Sequence, residues 1–460
     1  MRILIEISYL ISSALFIFGI KMLSSPKTAR KGNFLSAIGM LIAIVVTLLD
    51  QHVLTYEYIL IGGLAGSIAG VILAVKTPMT GMPQMVGMLN GFGGGASTLV
   101  ALSEFYKLSG SVPTETGIAI IASLLIGGVT FTGSMIAFGK LQGLVTGKVV
   151  KYKGQHAINL LMLVFVIGAG VYVVMNPMTT LNLALLLTFI SLVLGVTLVL
   201  PIGGADMPVA ISLLNSYSGM AGATTGFVLQ NNELIIAGSL VGASGIILTN
   251  IMCKAMNRSL MNVVLGGWDS AGTVSTASTT SQKGQVKSID PDELAMIFDV
   301  AESIIIVPGY GMAVAQAQHA VRDLVNSLEA KGKKVRFAIH PVAGRMPGHM
   351  NVLLAEAQIS YDKMLAMEDI NDDFPTTDIA LIIGANDVVN PAARHDKNSP
   401  IFGMPILNVD YAKTVVINKR SMSAGYAGID NELFFYPNAL MYFGDAKDAV
   451  TKLVHEIKNL

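Results

Sequence analysis

Nine apolar stretches lie between residue 3 and residue 253 of this 460-residue chain. Each is about 20 residues long, which as an α-helix crosses the hydrocarbon core of a bilayer. The chain also holds 47 glycines and 25 methionines, a composition that suits closely packed membrane helices. The sequence therefore predicts a polytopic α-helical membrane domain. Its spans are predicted at 3–22, 33–49, 54–75, 84–106, 117–138, 157–175, 180–200, 208–229 and 233–253.

Charge divides the chain near residue 265. Up to that point the chain holds 13 of its 30 Lys and Arg residues and 7 of its 30 Asp and Glu residues, and the remainder has the charge density of a soluble domain. Residues 266–285 are rich in Ser, Thr and Gly, which is typical of a flexible linker. We expect a membrane domain over 1–265, a linker over 266–285 and a soluble domain over 286–460.

The overall composition excludes several classes of protein. The 30 basic and 30 acidic residues balance, so no basic excess indicates a nucleic-acid partner. Cys253 is the one cysteine, which excludes a disulfide framework and a multi-cysteine metal site. The histidines of the soluble half show no metal-ligand spacing, and we predict no metal site.

Basic residues concentrate in the loops on one predicted side of the membrane. Because cytoplasmic loops carry the excess of Lys and Arg, this bias places the N-terminus outside. Nine spans then leave the soluble domain in the cytoplasm. The loops on the basic side hold Lys21, Lys27, Arg30, Lys31, Lys76, Lys140, Lys148, Lys151, Lys153, Lys254 and Arg258, and the other side holds Arg2 and Lys107.

The soluble half alternates short apolar runs with helical segments. This alternation predicts an α/β fold with a doubly wound parallel sheet, which is Rossmann-like. Strands are predicted at Ser303–Val307, Val335–Ile339 and Ile379–Ile383, with further apolar runs at Pro405–Val409 and Thr414–Ile417. Helices are predicted from Met312 to about Ala330, at Met350–Gln358 and from Asp445.

A glycine motif follows the first predicted strand. Gly309-x-Gly311-x-x-Val314 stands where a dinucleotide fingerprint belongs, although Val314 replaces its third glycine. Glycines there permit a tight turn and let backbone N–H groups approach a pyrophosphate at a helix N-terminus. A glycine turn that binds no ligand is the alternative interpretation.

The end of the second predicted strand favours a 2′-phosphate over a free ribose hydroxyl. An NAD site places Asp or Glu there, and this chain has His340 and Pro341. A 2′-phosphate requires Lys or Arg, and Lys419 and Arg420 follow a later strand. A solvated strand end is the alternative for this pair.

Four polar residues fall in or beside predicted spans. Asn90, Ser134 and Asn215 lie inside spans, and Asp206 directly precedes the eighth. Polar groups inside a membrane cost free energy and point to a functional site. The alternatives are close packing or a hydrogen bond to a carbonyl one turn back for Ser134, hydrogen bonding between helices for the two asparagines, and helix N-capping for Asp206.

Long runs of residues closely resemble the β subunit of the proton-translocating NAD(P) transhydrogenase family. The resemblance covers essentially the whole chain. It implies Si-specific/Re-specific hydride transfer between NADH and NADP⁺, driven by proton movement across the membrane. The most specific runs are Gly203–Pro208, Leu214–Gly219, Met252–Arg258, Pro308–Gln318, His340–Asn351, Gly384–Asn390 and Lys419–Gly428.

The resemblance also implies where each cofactor and partner belongs. This chain is expected to bind NADP(H), and a partner α subunit carries the NAD(H) domain. The α/β assembly is expected to be a dimer in the inner (plasma) membrane. The implied NADP(H) contacts, together with the glycine motif above, are Gly309, Tyr310, Gly311, Val342, Ala343, Gly344, Arg345, Met346, Pro347, Gly384, Ala385, Asn386, Asp387, Val388, Gly403, Met404, Lys419, Arg420, Ser421, Met422, Ser423, Ala424, Gly425, Tyr426, Asp445 and Ala446.

The implied proton path contains no titratable side chain at one of its family positions. That position is His in some members and Asn90 here, and asparagine does not titrate near neutral pH. Ser134 and Asn215 match the other polar positions, and Asp206 matches an acid at the cytoplasmic face. We expect the three neutral residues to hold a water chain, and Asp206 and Asp387 to respond to protonation and nucleotide state.

A channel or transporter gated by a cytosolic nucleotide-sensing domain is the alternative function. That class also joins membrane helices to a doubly wound domain. It predicts a selectivity filter or inverted repeats with broken helices, and often an acid after the second strand. The sequence shows no such filter, and the acid is absent.

Overall fold

The structure, a computed structural model, describes residues 2–23, 25–50, 56–108, 112–147, 149–176, 181–257, 259–264, 286–346, 348–425 and 427–460. It divides the chain into two compact units, Met1–Asn250 with Leu260–Trp268 and Ile251–Ser259 with Asp269–Leu460. The predicted linker over 266–285 lies outside the described residues.

The first unit is built of long helices. Among the described residues, eight helices are long and apolar enough to cross a membrane. α8 has 23 residues and is a less apolar ninth, so the predicted polytopic helical fold is confirmed. The helices are α1 (Arg2–Leu23), α2 (Pro26–Asp50), α3 (Glu57–Lys76), α4 (Met82–Lys107), α5 (Thr114–Gln142), α6 (Gln155–Met175), α7 (Leu181–Val199), α8 (Met207–Leu229), α9 (Asn232–Ala255) and the short α10 (Leu260–Val264).

Glycines allow α4 and α5 to pack backbone against backbone. A Cβ atom on Gly94 would lie 2.7 Å from the Gly127 carbonyl oxygen and 2.7 Å from Thr130 Cβ. One turn earlier on α4, a Cβ on Gly91 would lie 3.3 Å from Ser134 Cβ. The order of these contacts shows that the two helices are antiparallel.

α5 is also antiparallel to α8. A Cβ on Gly133 would lie 3.2 Å from Leu214, and the hydroxyls of Ser123 and Thr225 are 2.8 Å apart. α4 and α8 therefore run in the same direction, pack against each other and both contact α5. This places α5 at the centre of the unit, where it also packs on α6 and α7.

The lower apolarity of α8 follows from its position among other helices. Its hydroxyl groups find partners inside the unit: Ser216 Oγ donates to the Gly242 carbonyl of α9 at 2.6 Å. Thr225 Oγ1 donates to the Ala221 carbonyl of its own helix at 2.8 Å. Satisfied hydroxyls cost little in an apolar environment, so a helix inside the unit tolerates them.

α3 differs from the helices around α5. None of its residues is buried among the described residues. Its glycines, among them Gly66, have no atom within 4 Å of an added Cβ. The glycines of α3 contact no other described helix, so they can be compared with the packed glycines of α4 and α5.

The second unit is an α/β domain with six parallel strands, in the order β3-β2-β1-β4-β5-β6. This order is that of dinucleotide-binding doubly wound folds and confirms the predicted fold class. The strands are β1 (Ser303–Pro308), β2 (Lys334–Ile339), β3 (Met364–Ala366), β4 (Ile379–Ile383), β5 (Thr414–Lys419) and β6 (Ala439–Phe443). The helices are α11 (Pro291–Val300), α12 (Tyr310–Val314), α13 (Gln318–Ala330), α14 (His349–Glu356), α15 (Met367–Ile370), α16 (Ala392–His395) and α17 (Ala446–Asn459).

Side chains of the central strands are buried on both faces, which explains their continuous apolar sequence. Ile305 and Val307 of β1 lie in one core cluster with Ile370 and Phe374, and all four are fully buried. α11, α13 and α17 pack together outside that cluster. Burial on both faces holds the strand ends in fixed positions, and the loops at those ends form the site described below.

Three details of the soluble half differ from the sequence-based expectation. The strands Met364–Ala366 and Ala439–Phe443 were not predicted. Pro405–Val409 forms no strand: Pro405 lacks an N–H, and the Leu407 N–H donates to the Val388 carbonyl at 3.0 Å instead of to a neighbouring strand. The predicted helix from Met312 to Ala330 is two helices, separated at Gln316, whose φ is +50°.

Replacing Gly94 by Ala tests the backbone contact between α4 and α5. The added methyl group would overlap the Gly127 carbonyl, so we expect a loss of about 1–3 kcal/mol of stability, seen as a lower Tm of the purified protein. Gly66→Ala on α3 is the matched control and should leave the Tm unchanged or slightly higher. An equal effect of both changes would contradict the packing described here.

Candidate functional site

The loops after β1 and β4 touch at the point where strand order reverses. The Gly309 N–H donates to the Ile383 carbonyl, and the Gly311 N–H donates to the Gly384 carbonyl, both at 2.9 Å. In doubly wound sheets, ligands bind in the crevice outside the strand ends at this reversal. We call residues 309–311, 340–349, 384–388 and 419–425, which follow or end β1, β2, β4 and β5, the carboxyl edge.

Glycine is required at this contact. A Cβ on Gly309 would overlap Gly384 and Ala385, and one on Gly311 would lie 2.7 Å from Gly384 Cα. Gly384 itself has a φ of +69°, which side chains rarely adopt. The two motif glycines therefore allow the two loops to approach each other.

The contact occupies two N–H groups of the motif. Those of Gly309 and Gly311 donate to the end of β4 and its loop, so any N–H group offered to a pyrophosphate belongs to other residues of this turn. Val314, which replaces the third glycine, is 46% exposed, so no close helix–strand contact requires a glycine there. The position of the motif at the carboxyl edge is as predicted.

His340 lies at the end of β2 where an NAD site has an acid. It is 2% exposed. Its Nδ1 accepts the Val342 N–H at 3.2 Å, and its Nε2 lies 2.8 Å from the Pro405 carbonyl, so Nε2 carries the hydrogen. Burial lowers the pKa of His340 to about 4, although the Pro405 carbonyl and Glu368 oppose the shift. His340 is neutral near pH 7 and supports the loop that follows it.

The next turn brings His349, Arg345 and Tyr310 together. The Arg345 guanidinium lies 4.4 Å from the centre of the Tyr310 ring, and His349 Nδ1 accepts the Arg345 N–H at 3.1 Å. Burial and the Arg345 charge lower the pKa of His349 to about 4. Gly344 packs against this histidine. The β1 and β2 loops therefore meet in a cluster that contains one cation.

The β4 loop is covered by the chain that follows β5. Asp387 Oδ2 accepts the Ala427 N–H at 2.9 Å, and Asn431 Nδ2 donates to the Asn386 carbonyl at 3.1 Å. Gly425 passes so close to Asp387 that a Cβ would overlap it. The predicted residues Asn386, Asp387 and Gly425 are thus in contact.

Two cations lie at the end of β5. Lys419 Nζ donates to the Ser423 carbonyl at 2.7 Å and lies 4.7 Å from the centre of the Phe434 ring. Desolvation lowers the pKa of Lys419, and Asp387 and Asp430 partly oppose the shift. Arg420 is exposed. An anionic ligand would restore the favourable environment that Lys419 loses through burial.

The remaining predicted contacts surround the same edge. Gly403 has a φ of +76°, and Met404 packs in a small cluster with Ala427 and Ile429, beyond the β5 loop. Asp445 caps α17 by accepting the Lys447 N–H at 3.1 Å. The Gly444 N–H, one residue earlier, donates to the Lys419 carbonyl at 3.0 Å. Pro347 and Tyr426 lie outside the described residues.

The donors at the carboxyl edge fit an anionic nucleotide. His349 Nε2 and Asn386 Nδ2 are buried and hydrogen-bond to no described residue. A cavity of about 80 Å³ lies between Asn386, Ser423 and Phe434. That volume is far below the roughly 300 Å³ of a small-ligand pocket, so this cavity alone does not hold a whole dinucleotide.

In the first unit, the polar residues Asn90, Ser134 and Asn215 lie at one level of three packed helices. Asn90 is next to Gly91 of α4, which faces Ser134 of α5. Asn215 is next to Leu214 of α8, which faces Gly133 of α5. Asn90 is 8% exposed and Ser134 is fully buried. We call these three residues the polar cluster.

The Ser134 hydroxyl does not form a hydrogen bond to the carbonyl one turn back in its own helix, unlike the hydroxyl of Thr130. Thr130 Oγ1 donates to the Ile126 carbonyl one turn back at 2.6 Å. Ser134 Oγ and Asn90 Nδ2 make no hydrogen bond to any described residue, although both atoms are buried. Two buried polar groups at one level fit a site that water or a proton-carrying group occupies.

Asp206 occupies the N-cap position of α8. Its side chain makes no capping hydrogen bond to the first turn of the helix, so the N-cap interpretation does not account for it. It lies in the short turn Gly204–Asp206, whose first N–H donates to the Gly147 carbonyl at 2.9 Å. The turn fixes Asp206 between the loop after α5 and the start of α8.

The sequence did not indicate two buried charged residues of this unit. Lys140, counted only as a loop charge, is 6% exposed, and its Nζ donates to the carbonyls of Leu200 and Ile202 at 2.6 and 2.7 Å. Glu233 is 4% exposed. Neither belongs to a sequence motif, and only the packing of distant helices reveals their burial. Among the described residues, no group of His, Cys, Asp and Glu is placed to hold a metal ion.

Comparison with known proteins identifies a single family. The family model described as the NAD(P) transhydrogenase beta subunit matches residues 5–456. A protein named NAD(P) transhydrogenase subunit beta from Rhodospirillum rubrum is 48% identical over 454 residues, which cover 97% of this chain and 97% of that protein. The protein of the same name from one strain of that species matches to the same extent.

The low pKa values of His340 and His349 determine how stability depends on pH. Unfolding returns each pKa from about 4 to 6.5, so the unfolded chain binds more protons between these values. The stability of residues 286–460 should be fully present above pH 6.5 and fall as the pH drops toward 4, by up to about 3 kcal/mol for a fully buried histidine. Urea unfolding at several pH values measures this slope.

His340→Asn supplies the control for that titration. The variant should lose part of the slope below pH 6.5 and run parallel to the unchanged fragment above pH 7. An identical slope in both would show that His340 is not held neutral by the fold.

Proposed function

The chain belongs to the NAD(P) transhydrogenase beta subunit family, and on that premise we propose that the nucleotide it binds itself is NADP(H). The chain is a subunit of a proton-translocating transhydrogenase, an enzyme that transfers hydride between nicotinamide nucleotides. An alpha subunit is its partner in the membrane. In this proposal NAD(H) binds the partner, and the alternative of a nucleotide-gated channel is not favoured.

The observation that most favours NADP(H) over NAD(H) is that the neutral, buried His340 stands where an NAD site has a ribose-binding acid. Both ring nitrogens of His340 are engaged by backbone groups, so the residue cannot accept a hydrogen bond from a 2′-hydroxyl. Cations stand at the same carboxyl edge, with Arg345 after β2 and with Lys419 and Arg420 at the end of β5, which β1 and β4 separate from β2. Cations bind a 2′-phosphate by charge-assisted hydrogen bonds.

The residues of this chain bind and orient the nucleotide. When bound, NADP(H) supplies or accepts the hydride at its nicotinamide ring. The contact between the β1 and β4 loops through Gly309 and Gly384 fixes the two loops on either side of the strand-order reversal, where a ligand binds. The buried donors on His349 and Asn386 are proposed to bind polar groups of the nucleotide. The Asp387–Ala427 hydrogen bond holds the residues after β5 on the β4 loop, where they are proposed to exclude water.

Proton movement is proposed to act on the Asp387–Ala427 contact between the β4 loop and the residues after β5. Coupling requires that protonation change the relative free energies of the NADP⁺- and NADPH-bound states. The polar cluster cannot carry the charge change itself, because asparagine and serine do not titrate near neutral pH. We propose that it holds a water chain, that Asp206 responds to protonation near the cytoplasmic face, and that Asp387 responds to nucleotide state.

The proposal includes topology and assembly. The distribution of basic loop residues supports an outside N-terminus and a cytoplasmic nucleotide domain, and we propose the inner (plasma) membrane as the location from the family resemblance. We propose a membrane domain over 1–265, a linker over 266–285 and an NADP(H) domain over 286–460. The α/β assembly is proposed to be a dimer, which mass measurement of the detergent-solubilised complex tests.

Lys419→Ala and Arg420→Ala test the 2′-phosphate contacts. A charge-assisted hydrogen bond contributes about 1.5–3 kcal/mol, so each change should weaken NADP⁺ binding roughly 10- to 150-fold and leave NAD⁺ binding almost unaltered. Calorimetry on residues 286–460 measures both. Lys413→Ala is the matched control, because Lys413 lies at the opposite end of β5, paired with Asp378 at 2.8 Å. Equal losses for both nucleotides would contradict the proposed role.

Asn215→Leu and Asp206→Asn test the proposed coupling. In proteoliposomes with the alpha subunit, both changes should reduce protons pumped per hydride transferred, while nucleotide binding is retained. Proton uptake and NADPH-dependent reduction of an NAD⁺ analogue are measured together. Ser244→Ala is the control, since Ser244 is exposed and bonds the Val241 carbonyl of its own helix at 3.0 Å. An unchanged ratio in both variants would leave these residues a purely structural role.

A further inference from the structure

A buried carboxyl group joins α9 to α1. Glu233, in the first turn of α9, is 4% exposed. Ser13 Oγ lies 2.6 Å from Glu233 Oε2, and Ser12 Oγ lies 3.0 Å from Glu233 Oε1. Both carboxyl oxygens therefore face hydroxyls from the middle of a helix that is more than 200 residues distant in sequence.

The hydrogen bonds around Ser12 depend on whether Glu233 carries a proton, because the Ser12 hydroxyl faces two acceptors and has one hydrogen. Ser12 Oγ also lies 2.7 Å from the Gly39 carbonyl of α2, which can only accept. A serine hydroxyl has one hydrogen to donate. If Ser12 donates to Gly39, the contact with Glu233 needs a protonated carboxyl as donor. If Glu233 is ionised, Ser12 donates to it and releases the carbonyl of α2.

No cation accounts for the burial of Glu233. No Lys, Arg or His of the described residues forms an ion pair with it. Near the start of α9, the neighbouring helix α8 contributes the uncharged Gly226, which packs against Ile235. The titratable residues of the surrounding helices each lie a turn or more from these contacts: Glu6, Tyr9 and Lys21 on α1, Arg30 and Lys31 on α2, and Tyr217 on α8.

We propose that Glu233 is a proton-binding residue of the translocation path. It takes up a proton as Glu–COOH and returns it as Glu–COO⁻ plus H⁺, and Ser12 moves its hydrogen bond between α9 and α2. This role rests on the proposed function, in which Asn90 does not titrate and Asp206 lies near the cytoplasmic face, and it adds a second titrating carboxyl group at the level of the middle of α1. α9 also contacts α8 through Ser216 and Gly242, which connects Glu233 to the helix of the polar cluster.

The experiment uses the complete α/β assembly. Infrared difference spectra between acidic and alkaline pH should contain the C=O band of a protonated carboxyl that Glu233→Gln removes. In proteoliposomes the same variant should lower protons pumped per hydride at least tenfold. Glu104→Gln is the matched control: Glu104 pairs with Lys107 at 3.4 Å near the end of α4 and should leave both readouts unchanged. No change in the spectrum, or an unaltered pumping ratio, overturns the proposal.

Ser13→Ala provides a second test that does not require removal of the carboxyl. Ser13 Oγ donates to Glu233 Oε2, so Ser13→Ala should shift the frequency of the carboxyl C=O band that Glu233→Gln removes. A band at an unaltered frequency overturns the proposed site even if Glu233→Gln fails to fold. The infrared spectrum needs no turnover, so it decides on Glu233 even if the proposed coupling through Asp206 and Asn215 fails.

Discussion

Contact between one stretch of backbone and another, which only glycine permits, recurs in both units of this chain. Between α4 and α5, a Cβ on Gly94 would lie 2.7 Å from the Gly127 carbonyl. Between the loops of β1 and β4, a Cβ on Gly311 would lie 2.7 Å from Gly384 Cα. In a bilayer, helices gain little from hydrophobic burial against each other, so close packing supplies much of their association. In the sheet domain the same closeness brings four loops to one edge.

This constraint leads to the two kinds of polar site. Helices that approach closely bring Asn90, Ser134 and Asn215 to one level, where buried polar atoms remain without protein partners. Loops that approach closely leave donors on His349 and Asn386 facing a small cavity. In both places the unsatisfied groups arise because backbone contacts fix the position of side chains that could otherwise turn toward water. Sites of this kind respond to a ligand or a proton, since either supplies the missing partner.

The sequence predicted the order of elements well and individual contacts poorly. Apolar length identified all the long helices, because burial in lipid leaves a signal in every residue of a span. The short strand Met364–Ala366 was missed because three residues are too few to show an alternating or continuous apolar pattern. The glycine motif was located correctly, but the N–H groups of Gly309 and Gly311 donate to Ile383 and Gly384, which lie 74 and 73 residues further along the chain and which no local pattern reveals. Lys140 and Glu233 were overlooked for the same reason: their burial depends on helices remote in sequence.

The central claim is that this chain selects the phosphorylated nucleotide with cations at the carboxyl edge of its sheet and has a neutral histidine in place of the ribose-binding acid. Equilibrium binding of NADP⁺ and NAD⁺ to the purified, unaltered beta chain, without its alpha subunit, tests this claim most directly. A 2′-phosphate bound by cations should make NADP⁺ bind at least about tenfold more tightly than NAD⁺. Binding of NAD⁺ as tight as that of NADP⁺, or tighter, would contradict the account.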